Sequence, residues 1–229
     1  MKMLFILLAF FFASVVYSQS PRFQPEPPDY DLIEKEIKDE KSKFFYPVLM
    51  ERYKNSDTTL TIEEYKYLYY GYIYQPKYNP YWHCENIEKL IEYDKKEDLT
   101  EEDKDVIIKL AMECIEEFPF DIMQMNVIRN IYYLNGDEKN AYIWSMKTQN
   151  IIHTILSTGS GLNKEEAWHV IITEHEYEII GSLGFEAARQ ALEQPYYDMI
   201  NLEKNDTEIK AFYFNVQKIM EANSKMFNK

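Results

Sequence analysis

The segment from residue 101 to residue 118 limits the fold more than any other stretch of this sequence. Its apolar residues recur at spacings of one, three and four, which is the pattern of an amphipathic helix. The apolar stripe consists of Val106, Ile107, Leu110, Ala111, Cys114, Ile115 and Phe118. Because neighbouring elements have to cover so broad a stripe, the segment predicts a body of packed helices.

The residues that follow predict a helical hairpin, in which a tight "NGD" turn separates two helices. When the hairpin is laid on the tetratricopeptide repeat of about 34 residues with Ile122 as position one, Gly136 falls at position fifteen and Ala141 at position twenty. In the preceding helix pair, Pro119 falls at position thirty-two and Cys114 at position twenty-seven. We interpret these as one clear repeat and one degraded repeat. A generic helical hairpin stays open, since a stable solenoid usually needs three or more repeats.

The tyrosine-rich stretch "EYKYLYYGYIYQPKYNPYW", residues 64–82, either builds a core or presents a surface to a ligand. Thr61 and Glu64 have the spacing of a capping box, which favours a helix over the strand that alternating tyrosines would suggest. One side of that helix would carry Ile62, Tyr65, Leu68, Tyr69 and Tyr72. Eight tyrosines cannot share one face, so we expect some to cover neighbouring helices and others to lie near solvent.

Two prolines, Pro76 and Pro80, end the predicted helix and place the following aromatic residues on a loop. Ligand contacts concentrate on loops. The candidate binding residues are Tyr74, Gln75, Tyr78, Tyr81 and Trp82. Packing between helices and a groove for a peptide, a protein or a sugar are the two interpretations that remain open.

The pattern changes after Ser157. The "STGSG" loop lacks the lysine of a phosphate-binding loop, so we interpret it as a flexible connector. We then predict a strand at "AWHVIIT", a short helix at "EHEYEIIGSLGF", and two strands at "YYDMINLE" and "IKAFYFNVQ". The predicted fold is mainly α with α+β character. Tetratricopeptide-like helical hairpins over residues 31–156 are followed by a small antiparallel sheet with one helix over residues 157–229.

The first residues, "MKMLFILLAFFFASVVYSQS", have the order of charge, apolar run and small residues that is typical of a secretory signal peptide. We place this peptide at residues 1–18, with cleavage between Ser18 and Gln19. Residues 19–30 contain four prolines and predict an extended linker. We therefore expect an exported protein, periplasmic or secreted, with no membrane attachment after cleavage.

The charge balance excludes some partners. The chain has 39 acidic and 25 basic residues and a net charge of −14, which would repel nucleic acids and anionic membrane surfaces.

The histidines do not predict a metal site, because His153, His169 and His175 do not have a metal-ligand spacing. Acidic residues flank His175, but acids in a first helical turn also follow from the helix dipole. No nucleophile motif or cofactor fingerprint is present, so we expect no catalytic residue, metal or cofactor.

The chain has two cysteines, Cys84 and Cys114. In an oxidising compartment they can pair. If the helices around residues 84–94 and 102–117 run antiparallel, the two cysteines come within reach of a disulfide. Two buried free cysteines are the open alternative. Catalysis by Cys84 beside His83 is disfavoured, because neighbours on a helix point about 100° apart.

Three stretches of the sequence carry a resemblance to a known family. They are "FYPVLMERYKNSDTTLTIEEYKYLYYGYIYQPKYNPY", then "CIEEFPFDIMQMNVIRNIYYLNGDEKNA", and then "STGSGLNKEEAWHVI" with "EHEYEIIGSLGF", "YYDMINL" and "AFYFNV". The sequence resembles a family of exported bacterial proteins catalogued as domain of unknown function 4919. The resemblance implies export and a helical, repeat-like body, and it supplies no catalytic residues. Ser160 stands where an acidic residue is expected between the loop glycines, which weakens any cation site there.

These observations favour a non-enzymatic exported protein whose helical hairpins present a surface to another protein. Carbohydrate binding by the aromatic loop at residues 74–82 is the alternative from a different class. A third hypothesis is an enzyme whose site is assembled from acidic residues that are distant in the sequence.

Overall fold

The computed structural model describes residues 24–227, so the predicted signal peptide at residues 1–18 lies outside it. The helices are α1 Tyr30–Lys38, α2 Tyr46–Lys54, α3 Ile62–Gly71, α4 Ile87–Asp94, α5 Glu101–Glu117, α6 Ile122–Leu134, α7 Glu138–Leu156, α8 Glu174–Ser182 and α9 Gln217–Phe227. The strands are β1 Trp168–His169, β2 Ala187–Glu193, β3 Tyr197–Leu202 and β4 Ala211–Asn215. The predicted fold class, mainly α with α+β character, is confirmed. Within residues 24–227, every helix is too short or too polar to cross a membrane.

Local capping signals determine where the helices begin. Thr61 and Glu64 form the predicted capping box at α3, in which the Glu64 carboxylate accepts from Thr61 N at 2.7 Å. A second capping box at α5 joins Thr100 and Asp103. Gly136, in the turn between α6 and α7, has a φ of 70°, a conformation that glycine adopts without strain.

Helix α3 carries most of the tyrosines and lies at the centre of the helical body, packed against α1, α2 and α7. The side chains of Tyr65, Tyr69 and Tyr70 are fully buried, and Tyr67 is nearly so. Ile62, which we placed on the predicted apolar side, is exposed. The predicted apolar side therefore holds except at Ile62, and the buried surface is wider than predicted because Tyr67 and Tyr70 are covered as well.

Helices α5, α6 and α7 pack on one another in chain order. This packing covers the stripe of α5 that limited the fold, since Ile107, Ala111 and Cys114 are buried. The predicted hairpin of α6 and α7 is present. The similarity of this hairpin to a tetratricopeptide repeat stays a prediction.

The sheet has the strand order β1-β4-β3-β2. Strands β2, β3 and β4 pair antiparallel, whereas β1 pairs parallel with β4 and places Trp168 opposite Phe214. The prediction of a purely antiparallel sheet is wrong for β1. The segment predicted as a strand at "AWHVIIT" contributes only two residues, and β2 and α9 were not predicted.

The end of the predicted linker lies against the body. Glu26 N donates to the carbonyl of Ser157 at 2.9 Å, and Pro28 is buried. Lys66 Nζ donates to the carbonyl of Glu26 at 2.9 Å. These contacts tie residues 24–29 to α3 and to the end of α7.

Candidate functional site

Three of the five candidate binding residues are anchored by their own polar atoms. The Tyr74 hydroxyl donates to the carbonyl of the first residue of α1 at 3.0 Å. The Tyr78 hydroxyl donates to the carbonyl of Ile171 at 2.7 Å, and Gln75 Nε2 donates to the carbonyl of Gly71 at 3.1 Å. All three side chains are half-buried. These bonds fix the course of the loop across the α3 end of the body.

The other two candidates lie closer to solvent. Tyr81 is 52% exposed, more than any other aromatic residue of the loop. Trp82 packs on Phe118, with ring centroids 5.0 Å apart, and its Nε1 donates to the Glu117 carboxylate at 3.2 Å. Trp82 and Phe118 together line a cavity.

A disulfide joins Cys84 to Cys114, with an S–S distance of 1.91 Å and a Cα–Cα distance of 5.2 Å. It connects the residues immediately after Trp82 to the buried face of α5. The position of Trp82 relative to α5 is therefore fixed covalently as well as by packing.

The cavity beside Trp82 has a volume of about 140 Å³, and we call it the Trp82 pocket. It lies where the loop, the start of α6 and α8 meet. Its apolar lining residues are Trp82, Ile87, Phe118, Ile122, Met123 and Ile172. Its polar lining residues are His83, Asp121, Gln124, Glu174, His175 and Glu178. Neither lysine nor arginine lines it.

Asp121 is the N-cap of α6, where its carboxylate accepts from Gln124 N at 3.0 Å. Burial, with a smaller contribution from the nearby charges of Glu178 and Glu174, raises the pKa of Asp121 to about 7. Burial also raises the pKa of Glu178. The pocket thus brings the buried Asp121 and the half-buried Glu178 close to the exposed Glu174.

Gln124 adds a further acceptor to this pocket. Its side chain is buried, and its Oε1 has no hydrogen-bond donor among residues 24–227. A buried acceptor without a donor is unfavourable by about 1–3 kcal/mol.

His175 lines the same pocket, but both of its ring nitrogens are occupied. Nε2 lies 2.9 Å from the carbonyl of Phe120, which can only accept, so Nε2 carries the proton. Nδ1 then accepts from the Tyr69 hydroxyl at 2.6 Å. Burial lowers the pKa of His175 to about 4, so the ring is neutral at physiological pH. His175 therefore supplies no positive charge to offset the carboxylates.

The acidic cluster around His175 does not converge on one point. Glu174 and Glu178 face the Trp82 pocket, whereas Glu176 is buried on another side of α8. There, Gln190 Nε2 lies 3.3 Å from the Glu176 carboxyl group and donates to Asp198 at 2.7 Å. In the described part of the chain, no group of three or more His, Cys, Asp or Glu residues is placed to hold a metal ion.

The "STGSG" loop serves packing. The indole Nε1 of Trp168 donates to the carbonyl of Gly159 at 2.8 Å. A Cβ at Gly161 would lie 2.7 Å from the Trp168 ring, and the φ of Gly161 is 69°. Only glycine allows the loop to wrap the tryptophan this closely.

Sequence reasoning found Trp82, treated Glu178 only as part of the acidic cluster around His175, and missed Asp121 and Gln124. Asp121 and Gln124 lie at the start of α6 and Glu178 lies in α8, so they approach Trp82 only through the tertiary fold. The signal that was available was Asp121 itself, since an aspartate before "IMQM" is a good N-cap. Nothing local indicated that this cap would also line a pocket.

One protein-family model matches the chain, that of the Domain of unknown function (DUF4919), over residues 31–225. No curated protein and no solved structure matches it.

Proposed function

The chain belongs to the DUF4919 family, and from this premise we propose that it is a non-enzymatic partner-binding protein whose Trp82 pocket receives a lysine or arginine side chain of another protein. The family description assigns no activity. The proposal therefore rests on the chemistry of the pocket.

The observation that carries the proposal is the composition of the pocket lining. Three carboxyl groups, two histidines and Gln124 are its polar lining, and aromatic and aliphatic side chains make up most of the rest. A lysine or arginine side chain is complementary to both parts, because its apolar stem packs on rings while its cationic end donates hydrogen bonds. The Trp82 ring adds the favourable interaction of a cation with an indole face.

The size of the pocket favours a single side chain. Pockets for small molecules usually have volumes of about 300–1,000 Å³, well above the volume of about 140 Å³ found here. The net charge of −14 would also attract a basic partner and accelerate encounter at low ionic strength.

Two features of the pocket argue against catalysis. The Asp121 carboxylate caps α6, and the His175 ring is held between Tyr69 and Phe120. Both groups already hold hydrogen bonds within the fold, and these bonds fix their orientation. The pocket thus supports binding better than proton transfer.

Export is a second part of the proposal. The leader-like sequence at residues 1–18 and the Cys84–Cys114 disulfide both suit a protein that works in an oxidising compartment. A basic segment of another periplasmic or secreted protein is the partner that we propose.

Glycan binding is the second candidate, and the exposure of Tyr81 favours it. An exposed ring beside the half-buried Trp82 offers an aromatic surface of the kind that sugars stack on. A glycan array separates the two hypotheses. Binding of a defined glycan that is lost in Tyr81→Ala would favour the glycan hypothesis. Absence of binding to any glycan on the array would exclude it.

Selection from a library of displayed random peptides tests the proposal. We expect enrichment of peptides in which lysine or arginine is flanked by apolar residues. The double variant Glu174→Gln/Glu178→Gln should lose this enrichment. The matched double variant Glu40→Gln/Glu208→Gln, which removes two exposed carboxylates away from the pocket, should keep it. Enrichment without basic residues, or enrichment that is unchanged in the pocket variant, contradicts the proposal.

A further inference from the structure

Lys147 is a buried cation on the inner face of α7. Its side chain is only 4% exposed. The ammonium nitrogen lies 4.8 Å from the ring centroid of Tyr53 and 4.7 Å from that of Trp144. Lysine is almost never this buried unless a carboxylate accompanies it.

Among residues 24–227, no carboxylate lies within 4.0 Å of Lys147 Nζ, and no hydrogen bond joins the Lys147 side chain to a partner. The two aromatic rings are its sole stabilising contacts there. Burial lowers the pKa of Lys147 to about 8, and no neighbouring acid counters this effect. A buried charge without a counter-charge is unfavourable, so an anion beside Lys147 Nζ would stabilise the site.

Lys147 lines a cavity of about 520 Å³, which we call the Lys147 cavity. Its apolar lining residues are Tyr53, Met112, Ile115, Pro119 and Trp144. Its charged lining residues are Lys54, Lys77, Lys147 and Glu116. Acidic residues outnumber basic ones in the whole chain, whereas three lysines and one glutamate line this cavity. It shares no lining residue with the Trp82 pocket.

A second cavity of about 680 Å³ continues from the first. The two have Lys54, Lys77, Glu116 and Pro119 in common. The second cavity extends along α2 to Gln75 and Pro76 of the aromatic loop. A ligand whose charged end meets Lys147 therefore has room for a longer body along this groove.

We propose that the Lys147 cavity binds the carboxylate of a small organic acid that has an apolar body. The carboxylate would contact Lys147 Nζ between the two rings, and the body would pack on Met112, Ile115 and Pro119. Lys54 and Lys77 would attract the anion at the mouth of the cavity. A strongly hydrated inorganic anion fits less well, because the walls around Lys147 are largely apolar.

Isothermal titration calorimetry with benzoate and hexanoate tests this proposal. Both acids should bind the purified protein at pH 7, and the neutral counterparts benzyl alcohol and hexanol should bind at least about tenfold more weakly. Lys147→Met keeps an unbranched side chain, one atom shorter, and removes the charge, so it should abolish the preference for acids. Lys139→Met, which changes an exposed lysine at the start of the same helix, should bind as the unchanged protein does.

A pH series on the unchanged protein provides a test that needs no variant. The groups that face Lys147 are Tyr53, Lys54, Lys77 and Glu116, and burial keeps the pKa of Tyr53 well above the range of interest. Since only the protonated amine of Lys147 attracts a carboxylate, benzoate affinity should fall about tenfold between pH 7 and pH 9. No binding of either acid, equal binding of the alcohols, or full binding by a folded Lys147→Met protein would overturn the proposal.

Discussion

The hydroxyl of Tyr69 lies 2.6 Å from Nδ1 of His175 and joins the tyrosine-rich helix α3 to helix α8. The same hydroxyl accepts from Ile171 N at 3.4 Å, and the far side of the imidazole donates to Phe120 O. One buried network thus links the helical hairpins to the C-terminal region. Most of the tyrosines of α3 serve this kind of packing.

Removing the Tyr69 hydroxyl should destabilise the protein. Tyr69→Phe leaves Nδ1 of His175 and N of Ile171 buried without their partner, at a cost of about 1–3 kcal/mol in the free energy of unfolding. Urea unfolding monitored by circular dichroism measures this loss in the free energy of unfolding. Tyr133→Phe, at a ring that is 73% exposed, should change stability by less than about 0.5 kcal/mol. Equal stability of the two variants would refute the role of the network.

The raised pKa of Asp121 predicts a gain in stability when its charge is removed. Because the folded pKa lies near 7 and the unfolded one near 4, the folded state holds more protons in between, so this residue lowers stability as pH rises through that window. Asp121→Asn keeps a good N-cap and should stabilise the fold above pH 7 by up to about 4 kcal/mol.

The gain from Asp121→Asn should be much smaller at pH 4.5 and should vanish only well below pH 4, where the aspartate is protonated in both states. Unfolding curves at pH 4.5 and pH 7.5 for both proteins supply the comparison. His175, with its lowered pKa, gives the opposite slope between about pH 4 and 6.5 in both proteins, so it cancels from the difference. A constant difference at the two pH values would show that the Asp121 charge is not the cause.

Lys147→Met should also stabilise the fold. Because the pKa of Lys147 is lower in the folded state than in the unfolded state, the buried charge weakens the fold below about pH 8, and this penalty is relieved as pH rises toward 10.5. We expect a gain of about 1–3 kcal/mol at pH 7 that shrinks by pH 10. A loss of stability at pH 7, measured by thermal unfolding, would mean that the cation has a counter-charge.

Loss of the disulfide should weaken both the fold and the Trp82 pocket. The bond closes a loop with a sequence separation of 30, for which the chain-entropy estimate is about 3–4 kcal/mol. Cys84→Ser/Cys114→Ser should therefore unfold at lower urea concentration under oxidising conditions, and dithiothreitol should remove the difference from the unchanged protein. Identical midpoints before reduction would contradict this prediction.

Local sequence signals account for the parts of the fold that were predicted. The Thr61 capping box and the glycine turn at Gly136 mark helix ends through neighbouring residues alone. Strand β2 was missed because Ala, Arg, Gln, Leu and Glu favour helices, and its pairing with β3 overrides that preference. The parallel pairing of β1 with β4 depends on residues far apart in the chain.

The residues of the two proposed sites also differ in whether local sequence signals could reveal them. Trp82 could be singled out because prolines and aromatics mark its loop. Asp121 and Lys147 could not, because one reads as an ordinary helix cap and the other as one of many lysines. Their character comes from burial, which only the packed helices create.

Calorimetric titration with two peptides that differ in a single group tests the central claim most directly. The peptide would come from the display selection, in one form with its lysine and in another with that lysine acetylated. If the Trp82 pocket receives a cationic side chain, acetylation should weaken binding at least about tenfold, and Glu174→Gln/Glu178→Gln should erase that difference. Equal affinity of the two peptides for the unchanged protein would contradict the account.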